Sequence, residues 1–200
     1  MDERWSVEHR RGGEVLRAIE PTSDEVQVAA GALASFYDDP YNRRMLANTV
    51  SLSPEDVVAS FVELRARGGR PFLLYAGDQL VGDGDLRHLD VRAGAGEVAV
   101  LVGDRASQGR GFGTRFTALL HAFGFRILGL DRIYASILPD NEPSLRLFAK
   151  LGHAPDASEA ARAFADEPGD VTLSVERATF EASARALLVD VRLSPRLTPR

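Results

Sequence analysis

The sequence predicts one mixed α/β (α+β) domain, a mostly antiparallel sheet flanked by helices, and three observations predict it. Apolar runs at 72–75, 80–89 and 98–102 are joined by a Gly77-Asp78 turn and a Gly/Ala loop at 93–96, which reads as an antiparallel meander. After residue 102 the pattern changes to helix, strand, helix at 114–128, 132–137 and 143–151, which requires a parallel crossover and makes the sheet mixed. The chain has 200 residues, 44% hydrophobic and 26% charged, which suffices for one core and not for two full domains.

Taken in order, residues 1–13 are polar and charged and read as a flexible leader. Residues 14–19 (EVLRAI) form the first predicted strand, closed by Pro21. Thr22 or Ser23 caps a helix whose first turn carries Asp24 and Glu25, as the helix dipole favours, and Val26, Ala29, Ala30 and Leu33 continue it to Phe36. Asp38, Asp39 and Pro40 stop it. Residues 41–51 read as an irregular loop with Arg43 and Arg44 adjacent. Ser53 and Pro54 then open a second helix with Val57, Val58, Phe61 and Leu64 on one side, ending near Gly68-Gly69. The two helices are expected to form a wall of the substrate site.

Beyond the meander and the crossover, Gly152 is the expected C-cap of helix 143–151. Residues 154–169, rich in Ala, Asp and Glu, read as a flexible insertion or a short helix, and 170–176 (DVTLSVE) alternates as a last strand. From Arg177 the tail carries Phe180, Leu187, Leu188, Val189 and Val191, and reads as a helix packed on the body or on a second copy in a homodimer. Its ending, SPRLTPR, is expected to be disordered. No internal repeat is visible.

Composition excludes several functions. A formal net charge of −5 argues against a general nucleic-acid binder. With no cysteine there is no disulfide, zinc-thiolate site or thiol nucleophile. No run approaches the roughly 18 apolar residues of a membrane span, and the charged first residues lack a signal core, so a cytoplasmic protein with no membrane partner is expected.

The chemistry gathers at residues 98–113, VAVLVGDRASQGRGFG. An apolar run leads through a polar turn into Gln108-x-x-Gly111-x-Gly113, and a helical run follows at once. A glycine-rich turn opening a helix presents unpaired N–H groups at the positive end of the dipole, which is an anion site with phosphate as its usual occupant. A P-loop needs a terminal Gly-Lys-Ser/Thr, and Gly113-Thr114 has no lysine. A dinucleotide fingerprint needs a third glycine where Phe116 stands, and its preceding strand would belong to a parallel sheet. What remains is a pyrophosphate loop without triphosphate chemistry.

With the Gln108-x-x-Gly111-x-Gly113 loop after a strand and Asn141-x-x-Ser144 downstream, the chain resembles the GNAT superfamily of acyl-CoA-dependent N-acetyltransferases over residues 14–176. The phrases GEVAVLVGDRASQGRGFGT, LGLDRIYASILPDNEPSLRLFAKLGH and DVTLSV look most like the branch of the ribosomal-protein N-terminal and spermidine acetyltransferases. The resemblance implies a GNAT-like sheet with a splayed central strand pair, residues 98–102 against 132–137. It makes 14–176 the acetyltransferase domain and 177–200 a C-terminal extension.

It also implies roles. Main-chain N–H groups of Gln108, Gly109, Arg110, Gly111, Phe112, Gly113 and Thr114 would hold the coenzyme A pyrophosphate of acetyl-CoA, with Asn141 as a further coenzyme contact or a helix N-cap. The pantetheine arm would pair with residues 100–102, and free amides of Leu101 or Val102 would polarise the thioester carbonyl. The resembling branch often has an acidic residue at the head of the central strand, which makes Glu97 the first candidate for the base that receives the amine's proton. Asp83 and Asp85, alternating on the neighbouring strand, are second candidates. Many members carry a tyrosine seven residues after the asparagine, where this chain has Phe148, so the thiolate leaves unaided, through water, or with a proton from Ser144 or Tyr134.

The expected reaction is acetyl transfer to a primary amine, on a small molecule or a peptide, by direct attack in a ternary complex. The alternative is a catalytically silent acyl-CoA-binding module, which Phe148 favours. No metal is implied, because Asp83-Gly84-Asp85 lacks the remaining spacing of a calcium loop. His9, His88, His121 and His153 are scattered and read as packed or half-exposed side chains. Arg43 and Arg44, with Tyr37 and Tyr41, read as an ordinary loop or as contacts to an acidic acceptor.

Overall fold

A computed structural model describes residues 3–46, 50–165 and 168–196. Its strands are β1 (Arg4–Arg11), β2 (Glu14–Ile19), β3 (Arg70–Ala76), β4 (Gln79–Asp90), β5 (Ala95–Val102), β6 (Arg132–Ile137), β7 (Ala154–Pro155), β8 (Val171–Glu176) and β9 (Val191–Arg196). The helices are α1 (Ser23–Asp38), α2 (Pro40–Met45), α3 (Pro54–Ala66), α4 (Phe112–Arg126), α5 (Glu142–Lys150), α6 (Glu159–Arg162), α7 (Arg177–Ser183) and α8 (Arg185–Leu188). The strands make one sheet in the order β7-β8-β6-β5-β4-β3-β2-β1-β9. Only β5 and β6 pair in parallel, so the mixed, mostly antiparallel sheet of the sequence reading is observed.

Local chemistry starts the predicted helices where expected. Thr22 accepts from the Glu25 N–H at 3.2 Å while the Glu25 carboxylate accepts from the Thr22 N–H at 2.7 Å, a reciprocal cap on α1. Ser53 and Asp56 do the same for α3, with Pro54 in its first turn. The helices then divide the sheet's two faces. Phe116, Leu119, Leu120 and Phe123 of α4 are shut from solvent on one face, where Phe72 meets Phe123 edge-on at 5.1 Å. Burying each such side chain contributes about 1.5–3 kcal/mol. On the other face α1 and α3 build a second core from Val26, Leu33, Val57 and Phe61 over Leu73 of β3.

Strand alternation assigns residues of β4 and β5 to these faces. Leu86 and Val98 are paired and belong to the α4 core, with Val100 and Val102 packed against it. Their neighbours Asp83, Asp85 and Arg87, opposite Leu101, Ala99 and Glu97, therefore face the other way. Gly82 makes this tight pairing possible, since a Cβ there would sit 1.8 Å from the Leu101 carbonyl oxygen.

Four segments differ from the sequence reading, two of them only in part. Residues 4–11, expected to be flexible, are strand β1, with Val7 and His9 turned inward beneath a mainly charged pattern. The 41–51 loop begins with helix α2, whose first N–H groups are bonded by Asp39 at 3.0 and 3.1 Å. Within 154–169, α6 is the short helix given as one alternative, and β7 precedes it. The tail begins with the expected helix on the body, α7 with Phe180 in the core, and continues through α8 into β9, which pairs with β1 and carries Pro195 at the sheet's edge, where a missing N–H does least harm. Residues 194–196 of the segment expected to be disordered lie in that strand, and 197–200 lie outside the described residues.

Candidate active site

The parallel pairing of β5 and β6 extends only through Ala95↔Arg132, Gly96↔Ile133 and Glu97↔Tyr134. Beyond it the two strands separate, and a cavity of about 450 Å³ opens between them. Val98 to Leu101 form one wall, Ser136 and Ile137 the other, Ser144 and Phe148 of α5 the roof, and Asp83 and Asp85 the floor.

One parity decides which β5 amides are free at this gap. The Gly103 N–H donates to the Val81 carbonyl at 2.8 Å. In an antiparallel ladder, peptide groups turn alternately to one neighbour and the other, so those of Val100 and Val102 face the open edge and that of Leu101 faces β4. Of the two amides expected to be free, that of Val102 faces the gap and that of Leu101 does not, and the Val100 amide faces the gap beside Val102. The Leu101 side chain still lines the cavity.

A second cleft of about 380 Å³ continues from the first, sharing Leu101, Asn141 and Ser144 with it. Gln108, Gly109, Gly111, Phe112, Gly113 and Thr114 line it, so the structure brings the expected loop residues together. Gly111 is the N-cap of α4 at φ +78°, a left-handed conformation that L side chains rarely adopt. Among the described residues no side chain caps this helix, so its first-turn N–H groups stand at the cleft with the positive dipole end behind them. Lys150 of α5 adds a cation across the cleft. Arg110 is turned aside, stacked on Phe112 at 4.5 Å and paired with Glu14 at 3.2 Å.

The loop is held from below by residues the sequence reading missed. Gln108 Nε2 donates to the Val102 carbonyl at 2.8 Å and to Asn42 Oδ1 at 2.9 Å. Asn42, buried on α2, donates in turn to the carbonyls of Phe36 and Gly103, both at 2.9 Å. The Gln108 side chain thus ties the loop to Val102 and Asn42. Asn141 has a matching role: Oδ1 caps α5 by accepting from the Ser144 N–H at 3.2 Å, and Nδ2 donates to the Met45 carbonyl at 3.0 Å. The cap on α5 is one of the two roles expected of Asn141, whereas nothing in the sequence reading pointed to Asn42.

The carboxylates separate clearly. Glu97 is 1% exposed, its carboxylate held by Arg87 Nη2 at 3.1 Å and facing His88 Nδ1 at 2.8 Å, beneath the point where the strands part. It is not among the described residues lining either cleft. His88 occupies a bulge with φ of 49°. Asp83 lies at the cavity floor, 7% exposed, with Oδ2 accepting from Tyr37 Oη at 2.6 Å. Burial pushes its carboxyl up to about 6, against the opposing pull of the Tyr37 hydroxyl and its own N–H. Burial and the adjacent carboxylate push the Tyr37 phenol up as well, so it stays a donor.

A groove of about 440 Å³ between the sheet and helices α1 and α3 reaches Asp83 and Asp85 from the other side, past Tyr37, Phe61 and Leu64. Tyr134 is elsewhere: it stacks on Phe164 at 4.2 Å and lines a separate cavity of about 810 Å³ at the opposite end of β6. Phe148 packs edge-on against His153 at 4.9 Å with one side on the central cavity. Among the described residues no cluster of three metal-ligating side chains occurs.

Comparison with known proteins places this geometry in context. A family model described as an acetyltransferase (GNAT) domain matches residues 15–154. The human protein named alpha/beta-tubulin-N-acetyltransferase 9 is 36% identical over 73 residues, 36% of this chain and 35% of that protein. Mycothiol acetyltransferase of Mycobacteroides abscessus is 40% identical over 77 residues, 38% of this chain and 25% of that protein. The matched part thus spans between a quarter and just over a third of those relatives' lengths. Among solved structures, Mycobacterium smegmatis RimJ in complex with CoA-disulfide has the same fold, with a TM-score of 0.68 over 94% of this chain and 96% of that one at 14% identity.

Proposed function

This chain belongs to the GNAT acetyltransferase family, and from that premise we propose that it moves an acetyl group from acetyl-CoA to a primary amine by direct attack in a ternary complex. The observation that carries the reading is the continuity of the two clefts through Leu101 and Ser144, which joins an uncapped helix start to a gap between parted strands. The first suits a pyrophosphate and the second an extended thioester arm. A structure of the same fold solved with CoA-disulfide supports this use of the cleft.

In this reading the backbone from Gln108 to Thr114 holds the pyrophosphate, with Lys150 nearby as a cation. The exposed edge of β5 at Val100 and Val102 pairs with the pantetheine arm and donates to the thioester oxygen, where charge develops in the transition state. Ser144, at the junction of the clefts, supplies the proton to the departing thiolate that Phe148, lacking a hydroxyl, does not. Glu97 acts at one remove, holding Arg87 beside Asp85. The acceptor enters by the α1/α3 groove, whose carboxylates at Asp83 and Asp85 suit a cationic or amino group.

Acetyl-CoA binding by calorimetry and coenzyme A release with a panel of amines test this. The wild type is expected to bind acetyl-CoA and acetylate at least one amine, and Gly111→Val to lose binding at least tenfold because valine resists φ +78°. Binding without turnover on any amine favours the silent module, and full binding by Gly111→Val contradicts the loop assignment.

A further inference from the structure

We propose that Asp83 is the group that takes the acceptor amine's proton and that Tyr37 positions its carboxylate. This rests on the acetyl-transfer reading and makes it specific. Asp83 is one of the few residues that line both the acceptor groove and the cavity between β5 and β6. It is paired directly with Leu101, one of the residues shared by the cavity and the coenzyme cleft, so its side chain stands where the two substrates would meet. One carboxylate oxygen, Oδ2, is held by Tyr37 Oη at 2.6 Å. The other, Oδ1, is buried and meets no donor from another residue among the described residues. A buried carboxylate oxygen with no donor beyond its own backbone is costly in a resting fold, and a substrate N–H is the partner that would satisfy it.

The neighbouring carboxylates are committed elsewhere. Glu97 is bound by Arg87 and faces His88. Asp85 Oδ1 lies 3.8 Å from Arg87 Nε. The charged groups around Asp83 are Asp85 and Arg87 on its own strand and, across the groove on α3, Glu63 and Arg67. Tyr37 is the titratable group that α1 presents, Asp170 lies across the cavity, and β5 places uncharged Ala99 and Leu101 opposite. Desolvation, which pushes the Asp83 carboxyl up to about 6, brings it into the range where a carboxylate is an effective base near neutral pH.

The step balances. The nitrogen lone pair of a neutral amine forms the C–N bond to the thioester carbon while the C=O π pair moves to oxygen. The N–H proton passes to Asp83 Oδ1. Collapse restores the carbonyl and breaks the C–S bond, and the thiolate leaves with that pair and takes up one proton. The products are the acetylated amine and coenzyme A thiol.

The test is kcat/KM against pH from 5 to 9 for wild type, Asp83→Asn and Tyr37→Phe with an amine found to turn over. The wild type is expected to show a one-proton break near pH 6. Asp83→Asn should lose the break and fall about 10²- to 10⁴-fold at pH 7.5 while still binding acetyl-CoA. Tyr37→Phe removes a hydrogen bond to the charged form, so the break should move to higher pH while the rate at pH 9 stays within a few-fold of wild type. A merely structural tyrosine would lower the rate without moving the break. Asp83→Asn within threefold of wild type with the break intact, or Tyr37→Phe with the break unmoved, overturns the proposal and leaves acetyl transfer standing. Acetyl-CoA binding with no turnover by the wild type overturns both.

Discussion

At the scale of residues, the site depends on side chains that hold other parts of it in place. Asn42 has the tightest set of obligations: it donates to two carbonyls, on α1 and at the end of β5, and accepts from Gln108. Removing its amide leaves the buried Phe36 and Gly103 carbonyls without this donor, which costs about 1–3 kcal/mol. Asn42→Ala is therefore expected to lower the urea midpoint and, because Gln108 loses its anchor, to weaken acetyl-CoA binding as well. A stability loss with unchanged affinity would show that the loop keeps its shape without α2. Asn42 was not legible as a site residue from the sequence, and Tyr37 was legible only as a possible acceptor contact, not as the partner of Asp83. Each acts across more than 40 positions, Tyr37 on Asp83 and Asn42 on Gln108, and no local pattern reports such a pairing. The glycine loop was legible because its chemistry is local: a left-handed turn, a helix start and no cap.

At the scale of elements, the helices with reciprocal caps were readable and the shortest ones were not. Helix α1 and helix α3 announce themselves by Thr22 with Glu25 and by Ser53 with Pro54. Helix α2 has six residues, two of them adjacent arginines, and no apolar stripe; tertiary hydrogen bonds hold it. Strand β1 hides for another reason, since charged residues alternate with its buried Val7 and His9. A buried histidine pair joins α4 to the turn after α5. His121 and His153 place their Nε2 atoms 2.8 Å apart, and Phe180 of α7 stacks on His121 at 5.0 Å. His121 also bonds the Thr117 carbonyl through Nδ1.

Burial pushes both imidazoles down, His121 to about 4, from an ordinary value of 6.5. In that interval the unfolded chain binds protons that the folded one refuses, so the stability of the neutral pair is complete above about pH 6.5 and is lost as pH falls. Urea midpoints at pH 7 and pH 4.5 should therefore differ more for wild type than for His153→Leu. An equal or larger drop in the variant would show that other groups set the acid sensitivity.

At the scale of the whole molecule, a single sheet organises everything that the proposed reaction needs. The parallel pairing of β5 and β6 stops after three residue pairs, and the gap that follows lies between a coenzyme cleft on one side and an acceptor groove on the other. The mixed topology was legible because a meander followed by a crossover leaves few alternatives. The splayed pair was expected only from family resemblance, since no residue in 98–102 or 132–137 forbids pairing by itself. Direct transfer across that gap is the central claim. Its most direct measurement uses acetyl-CoA labelled in the acetyl group, incubated with the protein alone and then with an amine that turns over, with label followed on protein and product. Label on the amine nitrogen, and none on the protein in the absence of amine, is the predicted result. Label retained on the protein before amine is added, and then passed on, would contradict direct attack in a ternary complex.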